Sequence, residues 1–324
     1  MQRAAWFNLV GLIVAWVILF IGFSLAAPHS FPTLANLELL ARQSTIVALA
    51  VLGTTFVIAS GGIDLSVGSV VALVTVVIAG VVHAGYDPAL ALVAGLLAGG
   101  ICGLLNGGLI VGLRVTPFIV TLGTLLLLRG LAKGLANEQK IDSKLTWLND
   151  LLQVLGKAER WKLVPVGVWV MLVLAVVLSL VLARTVFGRQ TLAVGSNEMA
   201  ARYAGIPVAK VRLLVYVLGG VCSGLAGLMQ FSRLGVGDPT VAIGLELNVI
   251  AAAVIGGASL SGGRGSIAGS LLGALIMSTI ASGSSQMGLP NWVQEIVTGA
   301  IIVLAVALDH FRQRVRARAA LPGQ

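Results

Sequence analysis

The chain is poor in charge: only 10% of its 324 residues are Asp, Glu, Lys or Arg. A water-soluble domain needs about a quarter of its residues charged to cover its surface, so a soluble globular protein is excluded. Cysteine is scarce as well. Cys102 and Cys222 stand far apart, each inside an apolar run and neither in a CxxC or Cys/His cluster. That excludes a disulfide framework and a cysteine metal site, and leaves both as small packing residues. The three histidines, His29, His83 and His310, are too scattered to form a site. No GxxxxGK[ST] phosphate loop, HExxH pair or recognisable nucleophile setting occurs. The chain therefore carries no ATP-hydrolysing machinery of its own, and no catalytic or metal-binding residues are assigned.

What remains is apolar and rich in glycine. Hydrophobic residues make up 58% of the chain and the mean hydropathy is +1.02. Apolar runs fall at 9–27, 44–60, 67–83, 89–111, 117–135, 163–182, 211–232, 244–260, 265–284 and 290–308. Many reach the roughly 20 residues that cross a bilayer as a helix. None shows the short alternation of a transmembrane strand. The fold class expected is an all-α polytopic membrane protein, a single domain over 1–324 with about ten transmembrane helices. Some are broken by glycine-rich segments, which makes the count open to re-entrant pieces. The 41 glycines lie within the apolar runs, where small residues let membrane helices approach closely. The first run is longer than the core of a signal peptide and is read as a retained helix.

The net charge of +9 fits a membrane protein that collects Lys and Arg in cytoplasmic loops, and nucleic acid is not an expected partner. With the N-terminus inside, the cytoplasm receives Arg3, Arg114, Arg184, Arg189, Arg202, Lys210, Arg212, Arg264 and the tail arginines 312–318. Both termini are then cytoplasmic. The stretch from Arg129 to Lys162 dissents, although it also holds Glu138, Asp142, Asp150 and Glu159 and reads as a small surface element. The basic tail is expected to sit near anionic lipid.

Two features carry functional weight. Gly61-Gly62-Ile63-Asp64-Leu65-Ser66 is echoed by Gly256-Gly257-Ala258-Ser259-Leu260-Ser261, each before a glycine-rich helix. Transporters are often built from repeats with interrupted helices at matching positions, near the solute. A structural repeat, parallel or inverted, is one reading and chance similarity the other. Asp64 and Glu246 are the intramembrane acids, at a break and at a helix start; Asn248 follows two residues on, in the same span start Leu245-Glu246-Leu247-Asn248. Both acids read first as shaping or capping backbone, and second as touching solute. Gly61, Gly62, Asp64, Ser66, Glu246 and Asn248 are the candidate pathway and break residues.

The second feature is the basic loop 184–210. Asn197 is a good N-cap, Gly205 fits the position after a helix, and Pro207 blocks continuation. The spacing predicts a helix of about two turns, ~11 Å, far too short to span. It serves either as a tie between spans or as a docking peg, with Ala200, Ala201 and Ala204 permitting close approach and Glu198 and Arg202 fixing orientation.

Four segments together carry a family resemblance: GGIDLSVGS at 61–69, TPFIVTLGT at 116–124, GRQTLAVGSNEMAARYAGIPV at 188–208 and ELNVIAAAVIGGASLSGGRGS at 246–266. In this order the chain resembles, over nearly its whole length, the permease subunits of ribose, xylose and arabinose ATP-binding-cassette importers. The resemblance implies that Asn197, Glu198, Ala200, Ala201, Arg202 and Gly205 form a cytoplasmic coupling helix seated in an ABC ATPase subunit. It also implies a second permease subunit, identical or related, and a periplasmic substrate-binding protein, in the bacterial inner membrane. ATP and Mg²⁺ would be bound by the ATPase and no cofactor by this chain. Leu245-Glu246-Leu247 departs from the family's frequent Tyr-Glu-Leu, which leaves the particular solute open. The expected cargo is a ribose-like pentose or related monosaccharide; a nucleoside, polyol or autoinducer-like solute is the alternative. An ion-coupled secondary transporter and a passive channel are the rivals from other classes.

Overall fold

The computed structural model describes residues 2–156 and 162–319, so Glu159 lies outside them. Thirteen helices occur among the described residues. In order they are α1 (Gln2–Ala26), α2 (Leu34–Ala59), α3 (Val67–His83), α4 (Pro88–Leu113), α5 (Pro117–Leu135), α6 (Trp147–Asp150) and α7 (Val166–Arg184). They continue as α8 (Val186–Ser196), α9 (Glu198–Tyr203), α10 (Val208–Leu234), α11 (Leu245–Ile255), α12 (Ile267–Gln286) and α13 (Asn291–Ala319). Every apolar run of the sequence is a helix. Seven helices, α1, α2, α4, α5, α7, α10 and α12, are long and apolar enough to cross a membrane. The protein is a multi-pass, all-α membrane protein.

The run at 244–260 differs from a full span. Only Leu245–Ile255 is helical, ~16 Å at 1.5 Å per residue, about half a bilayer core. The other half is a re-entrant segment. It starts at β2 (Val236–Gly237), which pairs antiparallel with β1 (Ile141–Asp142). It then descends along α3: Gly237 packs on Thr75, Val76 and Ala79, and the Ala242 carbonyl reaches Gly68. Non-helical backbone at this depth must be satisfied by protein. Thr75 exchanges hydrogen bonds with the Asp238 backbone at 3.2 and 3.3 Å. Arg129 donates to the Pro239 and Val241 carbonyls at 3.0 and 2.6 Å. Arg129, expected at the start of a surface loop, is thus a residue of α5 that tethers the segment.

At the centre α10 packs against α2, α3 and α4, and glycine makes this possible. A Cβ on Gly99 would meet the Gly220 carbonyl at 2.5 Å, and one on Gly103 would overlap the Tyr216 carbonyl. Close backbone approach substitutes for the hydrophobic drive absent in lipid. Cys102 and Cys222 are buried on these same helices, and Cys222 lies where a Gly53 Cβ would project. Replacing Gly103 by Leu is expected to cost ~1–3 kcal/mol or more through overpacking. Gly108, on the same helix with nothing within 4 Å, should accept Leu without loss. Thermal unfolding of both variants in detergent checks this: a Gly103→Leu midpoint equal to the wild type contradicts the packing described.

The helix α1 lies along α12, where Phe23 fills the space over Gly283 and Trp16 donates to the Thr279 hydroxyl at 3.0 Å. The element from 136 to 156 forms a lid over one end of the bundle. Arg42 donates to the Leu152 carbonyl at 2.6 Å, and Ser232 bridges the Asn149 carbonyl and Leu152 N–H, both at 2.9 Å. His83 meets the Asp142 carbonyl at 2.8 Å. The opposite end carries α8 and α9.

Candidate functional site

The sequence signals for α9 are met in detail. The Asn197 side chain accepts from the Ala200 N–H at 2.9 Å, capping the helix. At its other end Gly205 has φ +77°, and its N–H reaches the Arg202 carbonyl while that of Ile206 reaches Ala201. These two bonds form a Schellman motif, whose left-handed residue glycine supplies without strain. The helix is six residues, somewhat shorter than two turns.

Its faces separate cleanly. Ala201 is 4% exposed and packs inward, so it holds the helix to the bundle rather than lining its outer face. Outside lie Ala200, Ala204, Met199 at 59% and Tyr203 at 85% exposure. Met199 and Tyr203, four residues apart on one face, form an apolar pair that sequence reasoning missed. Glu198 is clamped between two arginines. Arg202 donates to one carboxylate oxygen at 2.7 Å, and Arg212 of α10 to the other at 2.6 Å. The hydrogen bond from Arg202, with both guanidinium charges, holds the Glu198 carboxyl below its usual range despite partial burial. α9 is therefore fixed to the N-terminal end of α10. Beside it, a cavity of about 560 Å³ separates α9 and α10 from the α4–α5 turn and is lined by Arg114, Glu198, Arg202 and Arg212.

The helix α8 connects this peg to both helix breaks. Thr185 caps it, accepting from the Gly188 N–H at 3.1 Å, and Phe187 stacks on Phe56 of α2 with centroids 6.0 Å apart. At its far end Gly195 lies against the Ala59 carbonyl, the end of α2, with the Gly263 nitrogen alongside. The Gly263 N–H donates to that same Ala59 carbonyl at 2.9 Å. The residue before the first echo and the turn after the second thus meet at one point beneath α8.

The two breaks are conformational copies. The N–H groups of Gly61 and Gly62 bond the Ile58 and Val57 carbonyls, and those of Gly257 and Ala258 bond Val254 and Ala253, all at 2.9 Å. Both are Schellman ends with a left-handed glycine, Gly61 at φ +82° and Gly257 at φ +94°. The equivalence pairs Gly61 with Gly257, one residue later than the letter-by-letter match to Gly256. The second break is longer by four residues before its helix resumes.

Asp64 is 4% exposed and turned into the subunit. It accepts from the Ser66 N–H and hydroxyl at 2.8 and 2.6 Å; Asn106 donates to the Ser66 oxygen, and Thr124 to Asn106. Tyr216 donates to the Ile63 carbonyl at 3.2 Å. Gly62 leaves room for that Tyr216 hydroxyl. This network shapes the break and ties it to α4, α5 and α10. The Glu246 carboxylate occupies the space over Gly68 of α3. Asn248, two residues on and so on the opposite side of α11, instead lines two adjoining cavities, of about 230 and 520 Å³. The structure so brings Gly61, Gly62, Asp64 and Ser66 together near α8, and sets Glu246 and Asn248 apart on α11.

Comparison with known proteins follows this geometry. Residues 36–306 match the family described as the permease component of branched-chain amino acid transport systems. The ribose import permease protein of Bacillus subtilis strain 168 is 41% identical over 292 residues, covering 90% of this chain and 89% of its own. The L-arabinose ABC transporter permease protein of Azospirillum brasilense is 38% identical over 95% of this chain and 89% of its own. The D-allose transport system permease protein of Escherichia coli K12 is 37% identical over 89% and 87%. No solved structure gives a significant match.

Proposed function

Because the chain belongs to the permease-component family of branched-chain amino acid transport systems, we propose that it is the membrane-spanning subunit of an ATP-driven monosaccharide importer. The family description names amino acids. The relatives that align end to end at 37–41% identity are named for ribose, arabinose and allose, which favours a sugar.

The observation that carries the reading is α9: a capped, exposed peg, ion-paired to α10 and joined through α8 to both helix breaks. A peg so wired suits a subunit driven from outside itself. In this reading an ABC ATPase subunit, holding ATP and Mg²⁺, receives Met199 and Tyr203, while Ala200 and Ala204 permit close approach. Closure of the ATPase pair moves α9, and α8 passes the displacement to the end of α2 and to the turn at 262–263 that leads into α12. Two permease subunits, identical or related, then alternate between openings on either face. A periplasmic binding protein delivers the sugar to the face bearing the 136–156 lid. That lid face is external and the α8–α9 face cytoplasmic in the bacterial inner membrane, a placement that the loop arginines 114, 184, 189, 202, 212 and 264 on the α8–α9 side support. Both termini share that cytoplasmic side, and the tail arginines 312–318, on the last turns of α13, adjoin anionic lipid.

Uptake of radiolabelled ribose, arabinose and allose tests the function, in cells lacking their own importers but expressing this chain with its ATPase and binding protein. Accumulation of at least one sugar should vanish on ATP depletion and survive an uncoupler of the proton gradient. The reverse pattern would establish the ion-coupled transporter instead.

A further inference from the structure

The two cavities that meet at Asn248 set several polar side chains into a largely apolar lining. The smaller lies between α2, the end of α10 and the re-entrant segment, and presents Gln43, Gln230, Arg233 and Asn248. The larger lies between α11, α12 and the start of α13, and presents Asn248, Gln294, Glu295 and Thr298. Polar side chains among membrane helices are costly and mark routes for water or solute. Arg233 donates to the Gln230 side chain at 3.3 Å, yet its buried Nε–H has no partner among the described residues. A buried donor left unmet is rare and signals a missing acceptor.

One side chain stands where the cavities join. Ile243 lines both and is 77% exposed. It projects from the tip of the re-entrant segment between two left-handed residues, Ala242 at φ +60° and Gly244 at φ +78°. For Ala242 that backbone is strained, and such strain persists where the surrounding structure enforces it. Arg129, bonded to the carbonyls of Pro239 and Val241, does the enforcing. A stiff β-branched side chain is thus held out on a clamped tip, flanked by amides.

Resting on the importer reading, we propose that these paired cavities are the solute-lining surface of the subunit. They take an uncharged, polyhydroxylated molecule, and Ile243 narrows the passage between them. The chemistry points to that class. Amide side chains offer both donors and acceptors, as a ring of hydroxyls demands. Arg233 and Glu295, one in each cavity, balance in sign, so the lining favours neither a net anion nor a net cation. The Arg233 guanidinium, on the wall of the smaller cavity, offers its outer N–H groups to a hydroxyl oxygen. Glu246, turned to α3, takes no part.

Cysteine labelling of the full chain in membranes, with its ATPase and binding protein, tests this. The native Cys102 and Cys222 are buried, which keeps background low. An impermeant, positively charged methanethiosulfonate should modify Asn248→Cys and Ile243→Cys, lower uptake at least tenfold in each, and be slowed by ribose, arabinose or allose. Val249→Cys, at a position with no exposure, should stay unmodified and active. The proposal is overturned if neither site is modified, if modification leaves uptake intact, or if none of the three sugars slows it. Should the unmodified chain move none of these sugars, the importer reading fails. Mass-shift labelling with sugar protection, which needs no transport, then still decides the site.

Discussion

Gly195→Ala is expected to lower sugar uptake by about tenfold to a thousandfold while the protein still inserts in the membrane. The added methyl group has nowhere to go, because its position overlaps the Ala59 carbonyl and crowds the Gly263 nitrogen. These are backbone atoms, so no rotamer change relieves the conflict. Overpacking of this kind costs ~1–3 kcal/mol. Pushing Ala59 and Gly263 aside would also weaken the half-buried N–H bond between them, another ~1 kcal/mol. Each 1.4 kcal/mol is about a factor of ten in rate if the strain falls on the transport step. Gly123→Ala, with nothing within 4 Å, is the matched control and should transport normally. Wild-type uptake by Gly195→Ala, at equal membrane abundance, would remove α8 as the link between α9 and the breaks.

Arg202→Glu is expected to abolish coupled uptake, by two orders of magnitude or more, with little change in thermal stability. The pair it breaks is largely exposed: the Arg202 side chain is 61% accessible and Glu198 31%. Such a pair contributes at most ~1 kcal/mol to folding. Glu198 also keeps Arg212 at 2.6 Å, so α9 remains attached. At a docked interface the consequence is larger. Reversing a charge that becomes desolvated against a partner costs ~2–5 kcal/mol. A large stability loss in the variant would instead mark Arg202 as a residue of the fold.

Most of the architecture is legible in the sequence because bilayer and helix impose simple rules. Ten apolar runs gave ten helices, and Asn197, Gly205 and Pro207 located α9 to within a residue. What was not legible depends on tertiary contacts. The run at 244–260 reads as a full span by composition, yet Gly257 at φ +94° ends the helix inside it and Gly244 at φ +78° delays its start. The segment 236–244 compensates only because Thr75 and Arg129, distant in sequence, satisfy its backbone. The echo at 61–66 and 256–261 pointed to matched breaks, but conformation sets the register one residue away from the letters. Asp64 and Glu246 look alike as intramembrane acids. Position relative to Ser66 and Gly68 turns both inward, while Asn248 reaches the cavities. For α9, a six-residue helix has too little pattern to reveal its outer face. The Glu198–Arg212 pair, fourteen residues apart, decides that Tyr203 points out and Ala201 in.

The central claim is that an external ATPase works this subunit through α9. Affinity purification of the full chain from native membranes, with mass spectrometry of what remains bound, tests it most directly. The wild type should retain an ABC ATPase subunit, and Arg202→Glu should lose it while inserting normally. A folded wild-type chain that brings down no ATPase, under conditions that preserve a known importer, would contradict the account.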